Sequence, residues 1–233
     1  MSLMILVKQK GLIRSGSDRN KNLLKTNLIL LLALSMMIFV VPVIQIKDHH
    51  LTRVLLAIVV VSGLFAADFS RAAFRILFSI GTLVVLVTLL NLVLPDSREL
   101  SAITFTLNTL YFIVITIALV AHVAKAKEVF GSTLLCAINS YLLIGLTLSM
   151  LFLIMDLMLP GSFSQVEAGQ QSYSTFVYYG FVTLTTLGYG DITPDSLLAK
   201  SLSTFTALFG QLYLVIIMAI LIGKYLIEKK PAE

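Results

Sequence analysis

Residues 185–191 have the types and the spacing of a segment that could bind a dehydrated cation. They read Thr-Thr-Leu-Gly-Tyr-Gly-Asp, so two glycines flank a tyrosine and follow a pair of threonines. A strand of this kind holds its carbonyl oxygens on one side only if alternate residues adopt backbone conformations that glycine tolerates best. Four such strands around one axis would form stacked rings of oxygens that replace the water around the cation.

The composition of the chain indicates an integral membrane protein. Hydrophobic residues make up 58% of the 233 residues, charged residues make up 12%, and the mean hydropathy is +0.98. An average soluble protein carries about 25% charged residues. The apolar residues form long runs rather than one stripe of a helix, as expected for helices that face lipid. The lone cysteine, Cys136, lies in such a run, cannot form an intrachain disulfide and is interpreted as structural filler.

The apolar runs predict an all-α protein with six transmembrane helices. Each run can cross a hydrocarbon core of about 30 Å at about 1.5 Å per residue, with some tilt. We expect a retained first helix rather than a cleaved signal peptide, because the run 28–44 is longer than the apolar region of a signal and lacks a small-residue cleavage site. The predicted spans are 23–45, 51–68, 75–94, 101–122, 132–157 and 199–224.

The distribution of basic residues predicts the orientation of these spans. If the amino terminus is cytoplasmic, thirteen of the seventeen Lys and Arg residues fall inside, and only Lys47, Arg53, Arg98 and Lys200 fall outside. Both termini are then cytoplasmic. The long connection 158–198, which contains the cation-binding candidate, opens to the exterior.

The connection 158–198 also predicts a short re-entrant helix. The chain leaves the fifth span at Leu159-Pro160-Gly161, and either Ser172 or Ser174 could cap a helix of about a dozen residues, near 18 Å. A helix of that length cannot span, and it is tolerated at membrane depth only where protein or a water-filled cavity surrounds it. Its carbonyl end would favour a cation through the helix dipole.

Residues 185–191 resemble the T-x-G-Y-G selectivity filter of potassium channels, and the resemblance covers about 132–226. It implies an outer helix, a pore helix, a filter and an inner helix, assembled as a homotetramer around a central pore with K⁺ as the permeant ion. The predicted parts of the chain are then a basic cytoplasmic segment at 1–22, a four-helix transmembrane domain at 23–124, the pore domain at 132–226 and a cytoplasmic tail at 227–233.

Residues 186–190 are called the filter segment here. The implied ion-binding groups are the carbonyls of Thr186, Leu187, Gly188, Tyr189 and Gly190 and the hydroxyl of Thr186.

The resemblance assigns supporting roles around the filter segment. Thr185 ends the pore helix, and Asp191 lies at the outer mouth. Tyr178 and Tyr179 occupy the positions of a tryptophan pair that braces the filter in the family. Either their rings pack behind the filter, with one hydroxyl or that of Thr183 reaching Tyr189, or they only fill space. Val182 stands where some relatives have a glutamate.

The sixth span contains the candidate gating residues. The resemblance makes Gly210 a hinge of the inner helix, and the alternative is close helix packing through a small residue. Leu214, Met218 and Ile222 could line the cavity or the gate, although a lipid-facing stripe has the same pattern. Gln211, the one amide in this span, is better placed in a wet cavity than in lipid.

The first four spans lack the charges of a voltage sensor. Residues 103–120 in the fourth span contain no Lys or Arg, so we expect no steep voltage dependence. These spans are interpreted as a scaffold or as a sensor of another stimulus. Lys224, Lys229 and Lys230 are interpreted as topological signals, with contact to anionic lipid as the alternative.

The sequence therefore predicts a potassium-selective channel that conducts K⁺ passively in a cell membrane, either a plasma membrane or a bacterial inner membrane. Its expected partners are copies of itself, membrane lipids and K⁺, with no nucleic acid and no other cofactor. We expect no enzymatic activity, because His49, His50 and His122 are scattered at helix ends. The alternative is a non-conducting or weakly selective subunit that modulates a related cation channel.

Overall fold

The computed structural model describes residues 20–44, 50–66, 69–93, 98–126, 131–164, 166 and 173–228. The described residues form helices and a single antiparallel bridge, so the all-α prediction is confirmed for them. Most of the predicted segment 1–22 lies outside them, as do Ser172, His49, Lys229 and Lys230. The seven helices are α1 at 20–44, α2 at His50–Phe65, α3 at Arg71–Val93, α4 at Arg98–Lys125, α5 at Gly131–Met158, α6 at Tyr173–Leu184 and α7 at Leu197–Glu228.

Five of these helices are long and apolar enough to cross a membrane, which supports a multi-pass membrane protein. The predicted second span is shorter than expected. Helix α2 has 16 residues, about 24 Å, whereas the hydrocarbon core is about 30 Å thick. It ends at Phe65, after which the Ala66 N–H donates to the Gly63 carbonyl at 3.2 Å in a tightened last turn. Six full-length spans are therefore not confirmed.

Helix α1 continues past a proline by widening one turn. Pro42 lacks an N–H, and its ring would clash with the carbonyl four residues earlier in a regular α-helix. The turn Met36–Val40 is π-helical, and the Val41 N–H donates to the Met36 carbonyl. A π-bulge of this kind relieves the clash and lets the helix run on to residue 44.

Buried hydrogen bonds join α2, α3 and α4. Arg53 on α2 is only 8% exposed and donates to the Asn91 carbonyl near the end of α3 at 2.6 Å. The Asn91 amide donates to the Thr104 hydroxyl of α4 at 3.0 Å, and the Asn108 amide donates to the Thr88 hydroxyl at 3.0 Å. The carbonyl end of α3 thus holds the Arg53 guanidinium inside the bundle, and the assignment of Arg53 to the external side of the membrane stays a prediction.

Helices α1 and α4 connect the first half of the chain to α5 and α6. Helix α4 packs along α5, the second half of α1 contacts α6, and the first half of α1 meets α5. There the buried Asn139 amide donates to the Asn27 carbonyl at 2.8 Å and to the Asn27 side-chain oxygen at 3.1 Å. Inside a bilayer such amide contacts are favoured, because lipid offers no competing partner.

Lys224 joins the end of α7 to the end of α4. Its ammonium donates to the Val123 carbonyl at 3.0 Å and to the Ala124 carbonyl at 2.9 Å. These carbonyls belong to the last turn of α4, where the helix leaves acceptors without internal partners and the dipole favours a cation. Lys224 therefore has a structural role, and interpreting it only as a topological signal is corrected.

Candidate ion-binding site

Helix α6 is the short helix predicted before the filter segment. It has 12 residues, from Tyr173 to Leu184, and it packs against α5. Gly180 allows the close approach, because a Cβ there would lie 2.1 Å from the Ser149 hydroxyl. A Cβ on Gly145 of α5 would lie 2.4 Å from the ring of Phe181. These two glycines hold α6 close to α5 and so place the residue after Leu184 at the base of the filter segment.

Alternate residues of the filter segment have left-handed backbone angles. The φ values are +59° at Thr186, +55° at Gly188 and +79° at Gly190. Gly188 and Gly190 tolerate this conformation, whereas Thr186 pays about 1–2 kcal/mol for it. The alternation is the backbone geometry that the spacing of the two glycines predicts.

The amide groups of the filter segment point back at α6. The N–H groups of Leu187 and Gly188 donate to the Val182 carbonyl at 2.9 and 3.3 Å, and the Thr186 N–H donates to the Thr183 carbonyl at 3.0 Å. Within the described part of the chain, the carbonyls of residues 186–190 accept no hydrogen bond. Five successive oxygens without a protein partner need water or a cation at membrane depth.

Tyr178 and Asp191 are hydrogen-bonded beside Gly190, at the end of the filter segment that is called its outer end here. The Tyr178 hydroxyl donates to Asp191 Oδ2 at 2.7 Å. This bond, with smaller contributions from desolvation and nearby charge, raises the pKa of Tyr178 to about 12. The hydroxyl therefore stays neutral and remains a donor at physiological pH, so the carboxylate of Asp191 keeps its partner.

Tyr179 contacts a different residue. Its hydroxyl shares a hydrogen bond of 2.6 Å with the Ser203 hydroxyl of α7. The ring is buried edge-on against Phe152 and Phe163, with centroids 4.9 and 5.2 Å away. In the chain described here, neither tyrosine hydroxyl, nor that of Thr183, bonds to Tyr189; the tyrosine hydroxyls reach Asp191 and Ser203 instead.

A backbone bridge secures the return from the filter segment to α7. Phe163 pairs with Pro194, the Ser164 N–H donates to the Thr193 carbonyl at 2.8 Å, and the Asp195 N–H donates to the Ser162 carbonyl at 2.8 Å. The segment that follows α5 therefore holds the segment that follows Asp191. With the Tyr178 contact, it fixes the outer end of the filter segment within one chain.

The middle of α7 contacts the filter segment at Thr186, and this end of the segment is called its inner end here. A Cβ on Gly210 would lie 2.2 Å from the Leu184 carbonyl oxygen, so close packing is a requirement at this position. Helix α7 runs without interruption past Gly210, and a hinge there stays a prediction. The Gln211 amide donates to the Thr186 hydroxyl at 3.2 Å. Leu214, Met218 and Ile222 follow at helical spacing and are exposed in the single chain, as a cavity lining or a lipid-facing stripe would be.

Two residues, one on α7 and one on α5, were not found from the sequence. Ser203 lies 24 positions from its partner Tyr179, and no local pattern links the two. Asp156 on α5 is only 2% exposed. An acid inside an apolar run was the available signal for Asp156, since buried carboxylates in membrane helices are rare and usually have a role.

A family model described as ion channel matches residues 140–226, from α5 through α6 and the filter segment to the last turns of α7. The match supports an ion channel family for this part of the chain, which is a little over a third of its length. No curated protein and no solved structure matched the chain.

Proposed function

We propose that the chain is one subunit of a homotetrameric, potassium-selective channel that conducts K⁺ passively through a central pore. The observation that carries the proposal is the filter segment, where five successive carbonyls accept no hydrogen bond from the described residues and alternate residues are left-handed. Such oxygens can replace the hydration shell of K⁺. The channel match over 140–226 supports ion conduction, and the T-x-G-Y-G pattern supports the choice of K⁺.

The exposure of the filter segment in one chain supports a tetramer. Leu187 and Tyr189 are 54% and 68% exposed in the single chain, although the proposed topology places them at membrane depth between α6 and α7. One chain supplies one strand of oxygens, and a ring that surrounds an ion needs further strands. Neighbouring copies would cover both side chains and complete the ring.

We further propose a cell membrane location, either plasma or bacterial inner, with both termini cytoplasmic and without steep voltage dependence. The orientation rests on the excess of basic residues on one side. Weak voltage dependence follows from α4, whose residues 103–120 carry no basic side chain. Arg53 is a buried cation of this region, and its bond to the Asn91 carbonyl ties it to α3.

A flux measurement with matched glycine variants tests the proposal. Purified protein in liposomes should pass K⁺ and exclude Na⁺. Gly188→Val should abolish the flux, because φ at this position is +55° and a β-branched residue cannot adopt it without strain. Gly161→Ala is the control, since Gly161 also has a positive φ, +84°, but lies in the loop after α5 with open space around it.

The outcomes separate the possibilities. Equal Na⁺ and K⁺ flux would contradict the proposed selectivity for K⁺, and the proposal that the protein is a channel would stand. No flux from the wild-type chain alone would favour a subunit that modulates another channel. Full conduction by Gly188→Val would mean that ions take a path other than the filter segment.

A further inference from the structure

Gln211 is the only side-chain amide on α7, and it contacts the filter segment. Its Nε2 donates to Thr186 Oγ1 at 3.2 Å across 25 positions of the chain. Both side chains are exposed in the single chain. An amide that faced lipid would lose its hydrogen bonds to water without replacement. The contact therefore places Gln211 in the space beneath the inner end of the filter segment.

Gly210 makes this contact possible. The absence of a Cβ lets α7 approach the Leu184 carbonyl, where a methyl group would lie 2.2 Å from the oxygen. Leu184 precedes Thr186 by two residues, so the next side chain on α7 reaches the base of the filter segment. The Gln211 contact is thus built by backbone packing and does not depend on a mobile loop.

The contact occupies a group that the proposed pore uses as an ion ligand. A threonine hydroxyl has one hydrogen to donate and two lone pairs to accept. The Gln211 N–H takes one lone pair of Thr186 and holds the positive end of its dipole beside the oxygen. A cation bound to that oxygen competes with the N–H for electron density and is repelled by it. Four copies of the contact would surround the innermost ion of the tetramer.

We propose that Gln211 sets the affinity for cations at the inner end of the filter segment, because its amide donates to the Thr186 hydroxyl in competition with the ion. The inference rests on the proposed function and adds a residue that tunes it. Conduction needs sites weak enough for ions to leave, and the Gln211 contact weakens the innermost one. Gln211 is a positioning residue, since it acts through Thr186.

Block by Ba²⁺ tests this role. Ba²⁺ has nearly the ionic radius of K⁺ and twice its charge, so it occupies K⁺ sites and amplifies changes in their strength. Gln211→Leu removes the N–H donor and keeps a side chain of similar size. We expect Ba²⁺ applied from the side of the chain termini to block K⁺ flux about tenfold more tightly in this variant, equivalent to about 1.4 kcal/mol. Val215→Leu, one turn further along the same face and without a polar group, should leave the block unchanged.

A second variant isolates the hydroxyl. Thr186→Cys replaces it with a thiol, which is a weak acceptor. In this background Gln211→Leu should change the block by no more than about twofold. A full change in both backgrounds would overturn the proposal, because the amide would then act on the ion directly. Unchanged block in Gln211→Leu alone would overturn it as well.

A measurement without conduction keeps the two proposals distinguishable. If the wild-type protein carries no K⁺ flux, the proposed function fails, and thermal stabilisation of the purified protein by Ba²⁺ tests the contact by itself. Gln211→Leu should then gain more stabilisation than the wild type at the same Ba²⁺ concentration. Equal stabilisation of the two proteins overturns the role of Gln211.

Discussion

Replacing Gly210 by alanine distinguishes a packing requirement from a hinge. The added Cβ would lie 2.2 Å from the Leu184 carbonyl oxygen and 2.8 Å from Leu184 Cδ1. The Cδ1 atom can move with its side chain, but the oxygen belongs to the backbone at the end of α6. Ordinary contact begins at 3.4 Å, so α7 and the end of α6 must separate by about 1 Å, as in overpacked cores.

Two opposing energies set the expected size of the effect. Alanine is favoured over glycine in a helix interior by about 1 kcal/mol. Overpacking a tight contact costs about 1–3 kcal/mol, and a backbone atom at the contact puts this case at the upper end. We therefore expect Gly210→Ala to lower the free energy of unfolding by about 1–2 kcal/mol. A residue that served only as a hinge would give the opposite sign, because a stiffer helix is more stable.

The same helix supplies the control. Gly223 also lies in α7, and a Cβ there meets no atom within 4 Å. Gly223→Ala should raise stability by about 0.5–1 kcal/mol. Thermal denaturation of the purified proteins in K⁺ should place Gly210→Ala below the wild type and Gly223→Ala above it. If the Gly210→Ala protein is as stable as the Gly223→Ala protein, the packing argument is refuted and the interpretation of Gly210 as a hinge stands.

Two further contacts give predictions with controls. Lys224→Met removes both bonds to the last turn of α4 and should cost about 1–2 kcal/mol, whereas Lys200→Met, at an exposed site, should stay within about 0.5 kcal/mol in thermal denaturation. The Tyr178 pKa is raised to about 12, so its contribution to stability is present below about pH 10 and is lost as the pH rises toward the raised value. Tyr178→Phe should lack this loss when stability is measured across that range, and an identical pH profile would contradict the Asp191 contact.

The sequence was sufficient to predict those structural features whose physical cause lies within a few neighbouring residues. Long apolar runs predict helices, and the observed α1, α3, α4, α5 and α7 follow those runs. The two-residue spacing of Gly188 and Gly190 predicts the alternate φ values, and Thr186 shares their register. The 12-residue length of α6 agrees with the helix of about a dozen residues expected between a serine cap and Thr185. Each prediction depends on residues within a few positions of one another.

The contacts between helices could not be predicted from the sequence, because they depend on which helices become neighbours in the fold. Arg53 and Lys224 carry the same charge as loop residues, yet each donates to the carbonyl end of another helix. The hydroxyl of Tyr178 donates to Asp191 rather than to Tyr189, across 13 positions of the chain. The length of α2 was also missed, because apolar residues continue past Phe65 while the helix ends there.

The filter segment is held at both ends by its own chain. Its outer end is fixed by the Tyr178–Asp191 bond and the bridge from Phe163 to Pro194, and its inner end is fixed by the packing of Gly210 on Leu184. The left-handed conformation of Thr186, which costs about 1–2 kcal/mol, is thus supported by contacts within a single chain. In the proposed tetramer, association would then have only to close the ring of oxygens around the ion, since the strand conformation is already set before the subunits meet.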